Sequence, residues 1–187
     1  MATTVTIQPT GVYYRFESGK WGSASRLWDG NESTAPTNQS GAILLYLDFS
    51  WLPAGARITQ VTARYVFKRG SSTMNPINLR CTNSASYSSG SLTIIKEIEL
   101  PKGTYNVAET HAGTVTLTPE ESNTFLSKTY QLVSIPNMSQ GTGYEVYLDV
   151  TYEESQIDVY IGGSQAKEVY VGTQKASAVY IGDKKIV

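Results

Sequence analysis

Ile43-Leu44-Leu45-Tyr46-Leu47-Asp48-Phe49 is apolar at nearly every position, the pattern of a central strand covered on both faces rather than of one with a wet side. Leu52-Pro53-Ala54-Gly55-Ala56 follows as a turn, the proline fixing one dihedral and the glycine freeing another. Ile58, Val61, Ala63, Tyr65 and Phe67 then open a second long strand, in which the last four share a face by the two-residue period. Two such strands across one turn set the expectation of an all-β protein.

Outward from this pair the same rhythm continues to about residue 154. Thr4 to Ile7 alternates, Gly11 to Phe16 is rich in aromatics, and Leu92 to Leu100, Gly113 to Leu117 and Tyr130 to Ile135 read as further strands. In the last, Tyr144 to Tyr152, residues Tyr144, Val146, Leu148, Val150 and Tyr152 face one way and Glu145, Tyr147, Asp149 and Thr151 the other. Gly, Ser, Asn and Pro clusters separate these runs, which predicts an antiparallel β-sandwich or barrel over residues 1–154. One short helix interrupts it. Thr118-Pro119-Glu120-Glu121 supplies an N-cap threonine, a proline at the first helical position and a glutamate three residues after the cap. That helix is expected to end near Ser127 or Lys128, with Phe125 and Leu126 plugging one end of the sandwich.

Past Tyr152 the chain changes character. After the polar connector Glu153-Glu154-Ser155-Gln156, a ten-residue period brings Val159-Tyr160-Ile161-Gly162, Val169-Tyr170-Val171-Gly172 and Val179-Tyr180-Ile181-Gly182. Each unit reads as a three-residue strand, a glycine and a turn (Gly163-Ser164-Gln165, Thr173-Gln174-Lys175, Asp183-Lys184-Lys185), giving a small C-terminal β-repeat meander over 155–187. About 30 residues return too little apolar burial to offset an ordering cost of roughly 1.5 kcal/mol each. The repeat must therefore borrow burial from another surface. Val159, Tyr160, Ile161, Val169, Tyr170, Val171, Val179, Tyr180 and Ile181 are the expected assembly interface.

Composition narrows the function. Of 187 residues, 15 are Lys or Arg and 16 Asp or Glu, for a formal charge of -1. Such a balance supplies no electrostatic footprint for nucleic acid or for an anionic membrane, so neither is expected as a partner. The longest apolar run, Gly41 to Leu47 and on to Phe49, is about eight residues, far short of the roughly 20 that a membrane helix needs. The start, Met-Ala-Thr-Thr-Val-Thr-Ile-Gln-Pro, lacks the basic and apolar segments of a secretion signal, which predicts folding in a cytosol.

The catalytic inventory is thin. Cys81, alternating with Ile77 and Leu79, reads as a small buried hydrophobe, and His111 as a loop residue before a strand. No cofactor or metal is expected. Asp29-Gly30-Asn31-Glu32 groups oxygen donors, yet without the spacing and ligand number of a calcium loop, and reads as a solvated turn. A glycoside hydrolase needs two carboxylates roughly 5 to 10 Å apart. Glu97 with Glu99, or Glu145 with Asp149, are available acids that no motif selects. For ligand contact the candidates are Trp21, Trp28, Trp51, Tyr87 and Tyr105, aromatics in loop-like surroundings whose ordinary alternative is core packing.

The run from Leu45 to Tyr65, with Phe49, Leu52-Pro53, Gly55-Ala56, Ile58 and Tyr65 at fixed positions, resembles a family of jelly-roll domains akin to carbohydrate-binding modules, found in secreted bacterial proteins and phage particles. The strand Gly143 to Glu153 is similar to the closing strand of such domains in phage structural proteins. The tandem Val-Tyr-Ile/Val-Gly tail resembles the tails that end bacteriophage tail, fibre and head-appendage proteins. The resemblance implies a non-enzymatic virion structural protein, a compact knob or decoration, since no collagen-like or coiled-coil shaft is present. It implies other virion proteins and further copies of the chain as partners, trimers being common among phage appendages, and release from the host cytoplasm on lysis. The competing reading is a carbohydrate-binding module or receptor-binding knob for host cell-surface glycan. No residue of a known sugar site carries over.

Overall fold

The computed structural model describes residues 2–16, 21–37, 39, 41–68, 76–101, 103–136 and 142–154 and, for the backbone alone, 159–161, 164–166, 170–171, 174–175, 180–181 and 184–185. Contacts divide the chain into two units, Met1–Glu154 and Ser155–Val187.

The first unit is an all-β sandwich with one α-helix. Its strands are β1 (Ala2–Ile7), β2 (Gly11–Arg15), β3 (Ile43–Leu47), β4 (Arg57–Lys68), β5 (Ile77–Thr82), β6 (Thr93–Ile98), β7 (Ala108–Thr116), β8 (Tyr130–Ile135) and β9 (Thr142–Glu153). One antiparallel sheet runs in the order β1-β9-β4-β7, the other in the order β2-β3-β8-β5-β6. The stretch that decides the fold lies where its composition places it: β3 sits between β2 and β8, and Ile43, Leu44 and Leu45 have no exposed surface.

Alternation then assigns the inner faces. Ile43, Leu45 and Leu47 of β3 join Val61, Ala63, Tyr65 and Phe67 of β4, Ile77, Leu79 and Cys81 of β5, Val133 and Ile135 of β8, and Val146, Leu148 and Val150 of β9 in one core between the sheets. Full burial of one such side chain contributes about 1.5–3 kcal/mol. Ile58 reaches the same core from the opposite phase, because a bulge between Ile58 and Gln60 shifts the register against β9. Tyr144, expected to share that inner face, is only half buried, next to a second bulge opposite Val66 and Phe67.

Strand β7 begins five residues before the expected Gly113, so His111 lies in a strand and not in a loop. Only 5% exposed, its ring stacks on Phe67 at 4.0 Å. The helix α1 (Pro119–Leu126) starts on a capping box: the Thr118 hydroxyl accepts the Glu121 N–H, and the Glu121 carboxylate accepts the Thr118 N–H at 2.8 Å. Lys96 of β6 meets the other oxygen of Glu121 at 2.7 Å. Phe125 is fully buried, edge-on to Phe49 at 5.4 Å, and Ser122 accepts the N–H of Ile58, which ties the helix to β4.

In the second unit each repeat closes on itself. β10 (Val159–Ile161) pairs with β11 (Ser164–Ala166), β12 (Tyr170–Val171) with β13 (Gln174–Lys175), and β14 (Tyr180–Ile181) with β15 (Lys184–Lys185), all antiparallel. Ser164, Gln165, Gln174, Lys175, Lys184 and Lys185, read from the sequence as turn residues, are therefore strand residues. Ile161 faces Ser164, Val171 faces Gln174 and Ile181 faces Lys184, a spacing that leaves two residues between the strands and makes each period a hairpin of its own.

Candidate functional site

The outer face of the five-stranded sheet carries a cluster of tyrosines. In β2 the register shifts between Val12, opposite Leu45, and Tyr14, opposite Leu44. The extra residue, Tyr13, lets two consecutive tyrosines serve the outer face, which strict alternation forbids. Tyr13 meets Tyr46 of β3 edge-on at 5.4 Å and Tyr130 of β8 at 6.2 Å, and those two are 5.7 Å apart. The Tyr13 hydroxyl donates to the Ser84 carbonyl at 3.1 Å, which fastens the loop after β5 beside the cluster. From that loop Tyr87 stacks on Tyr14 at 4.0 Å and 11°, and Phe16 sets its edge against both.

On the same face Leu44 and Leu132 have no exposed surface, whereas Phe16 is 39% exposed and the tyrosines are half buried. Arg80 of β5, opposite Leu132, brings a cation to this face. Burial lowers the pKa of its guanidinium, opposed by the neighbouring Tyr87 and Glu97. Burial also raises the Tyr13 hydroxyl, helped by Tyr46. A groove of about 820 Å³ starts at Tyr46 and Tyr130 and continues past Asp48 and Phe49 to Leu126 and Lys128 at the end of α1. Half-exposed rings bearing hydroxyls, with a cation beside them and a groove leading away, suit a polar ligand that also has apolar faces.

Only one of the five aromatics picked from the sequence belongs here. Tyr87 is in the cluster. Trp21 has no exposed surface, lies in the core and donates its Nε1–H to the Gly41 carbonyl at 2.9 Å, so its flanking loop misled the reading and it offers no platform to a ligand. Trp28 packs half buried against the same core. Trp51 donates to the Asp48 carbonyl and leans on Phe49 and Tyr152, at 5.9 and 5.7 Å. Tyr105 is 66% exposed on the connection before β7. Tyr13, Tyr14, Tyr46 and Tyr130 were missed, although the aromatic-rich stretch from Gly11 to Phe16 signalled two of them.

Of the expected assembly residues, Val169 and Val179 lie outside the described residues. The others, Val159, Tyr160, Ile161, Tyr170, Val171, Tyr180 and Ile181, are in the first strands of the three hairpins. Asp29 and Asn31 form nested turns, their carboxylate and amide oxygens accepting from the N–H groups of Asn31 and Ser33, respectively. Among the described residues no three His, Cys, Asp or Glu side chains are placed to hold a metal ion, and no helix is long and apolar enough to cross a membrane. The chain matches no protein-family model and no curated protein.

Proposed function

We propose that the chain is a non-enzymatic structural component of a bacteriophage particle, a jelly-roll domain followed by a repeat through which copies assemble. The strand order supports the jelly roll. With β2 set aside as an added edge strand, the remaining eight strands run 1-8-3-6 in one sheet and 2-7-4-5 in the other, the order in which two Greek keys wrap around each other. The observation that carries the assembly reading is the hairpin repeat. Among the described residues its ladders hold three, two and two residue pairs, and an isolated two-stranded hairpin is at best marginally stable in water. Three similar short hairpins in tandem gain burial when several copies of the chain bring theirs together.

The test compares the solution mass of the full chain with that of a form ending at Glu154. A multiple of the chain mass that falls to a monomer on truncation supports the reading; equal assembly states for the two refute it. A second reading, glycan binding at the host surface, is favoured by the tyrosine cluster. Binding to host-wall polysaccharide that disappears in Tyr14→Ala and Tyr87→Ala but survives truncation at Glu154 would establish it, and no binding across such glycans would remove it.

A further inference from the structure

Glu145 lies on the outer face of β9, where alternation predicts a wet side chain, yet it has no exposed surface. The long connection between β2 and β3 covers it. One oxygen, Oε1, accepts the Gln8 amide at 2.5 Å and the Gly30 N–H at 3.1 Å. The other, Oε2, is buried and has no hydrogen-bond partner among the described residues. An unpartnered oxygen on a buried carboxylate is costly, whereas the protonated acid turns it into a donor. The acceptor is at hand: the Asp29 carboxylate lies within hydrogen-bonding and charge range of Glu145. Asp29 uses one oxygen for the Asn31 N–H and one for the Thr34 hydroxyl, both at 2.9 Å, and a carboxylate has lone pairs left for a third bond.

The surrounding charges favour keeping the proton. Glu32 on the same turn adds negative charge, and Tyr147, two residues along β9, is neutral. Arg64 of β4, a cation beside Tyr147, is committed to Asp149 at 2.9 Å and lies over the Tyr147 ring at 5.0 Å. We propose that Glu145 and Asp29 share one proton in the folded protein, and that this proton fastens the turn from Asp29 to Thr34 onto β9, so that the turn loosens as the medium becomes alkaline. Burial first, then Asp29 and Glu32, push the Glu145 carboxyl up to about 7 from its ordinary 4.5, against the Gly30 N–H that lowers it. A group that holds its proton more tightly when folded adds stability that is complete below its unfolded value and is lost as pH rises through the folded one.

The experiment follows thermal unfolding and Gly30 amide exchange of the full chain in a chelator-containing buffer. From about pH 5.5 to about pH 8.5 the folding equilibrium of the wild type should weaken about 30-fold more than that of Glu145→Gln, whose amide donates at every pH; this corresponds to a difference of about 4–8 °C in Tm shift. Parallel pH profiles for the two proteins overturn the proposal. Should Glu145→Gln fail to fold, carboxyl carbon NMR of the wild type decides: a glutamate titrating near neutrality supports the shared proton, and none above the ordinary carboxylate range refutes it. A rise in wild-type Tm on adding millimolar calcium at alkaline pH, absent in Asp29→Asn, also overturns it, because a cation and not a proton then fills the gap.

Discussion

Replacing Gln39 by alanine removes a side chain that stands in for a strand. β1 pairs with β9 from Leu148 to Glu153, so the near half of β9, starting at Thr142, has no strand on that edge among the described residues. Gln39, 8% exposed, fills part of the gap: its Nε2 donates to the Gly143 carbonyl at 2.9 Å, and its Oε1 accepts the Gly143 N–H at 2.6 Å. Gly143 is itself buried. The same Nε2 also donates to the buried Pro36 carbonyl at 2.8 Å, so the alanine variant strands one buried donor and two buried acceptors, each worth about 1–3 kcal/mol when left unmade. Partial relaxation and water entry reduce the sum, and a net loss of about 3 kcal/mol is expected. For a domain near 150 residues that is a fall of about 6–12 °C in Tm. Urea unfolding followed by tryptophan fluorescence measures it, with Trp21, bonded to Gly41 two residues away, as a reporter close to the change. Gln39→Met keeps most of the volume and should lose nearly as much, which separates hydrogen bonding from packing. If either variant stays within about 0.5 kcal/mol of the wild type, the amide is not closing the edge of β9.

Two further outcomes test the packing. A Cβ added at Gly143 would run into the Tyr65 hydroxyl oxygen and its Cζ, so Gly143→Ala should cost about 3 kcal/mol or more. Tyr65→Phe should restore part of that loss and be nearly neutral alone, because the buried hydroxyl has no partner among the described residues; additive losses in thermal denaturation would contradict this. Cys81 is fully enclosed, with its sulfur 3.8 Å from the Thr124 carbonyl and its thiol pKa pushed up by burial. A thiol reagent should therefore modify it at the rate of unfolding, and immediate reaction of the native chain would place it at the surface.

What was legible in the sequence follows from where burial obeys alternation. Val61 to Phe67 and Val146 to Val150 lie in strands interior to their sheet, and the two-residue period picked their inner faces. The start of β7 was invisible because its inner positions are Glu109, His111 and Gly113, none of them aliphatic, while Ala108, Thr110 and Ala112 are exposed. Glu145 was placed on the correct face yet given the wrong environment, since Gln8 and Gly30, which cover it, come from 137 and 115 residues away. The tyrosine cluster required knowing which residue of β2 is extra, and composition does not locate a bulge. Trp21 shows the same limit: its backbone is in the left-handed region, at φ 57°, a conformation rare for a bulky residue and one that composition does not announce.

The register shift at Tyr13 has a counterpart across the sheet. β2 and β6 are the two outermost strands, and opposite β6 the pairing moves from Leu79–Lys96 to Arg80–Ile94, so Ile95 is an extra residue there. Both borders are thus irregular where a flat, even row of amides would invite a stranger's strand to zip on. The margins of this layer thereby resist sticking to those of any like molecule that drifts alongside.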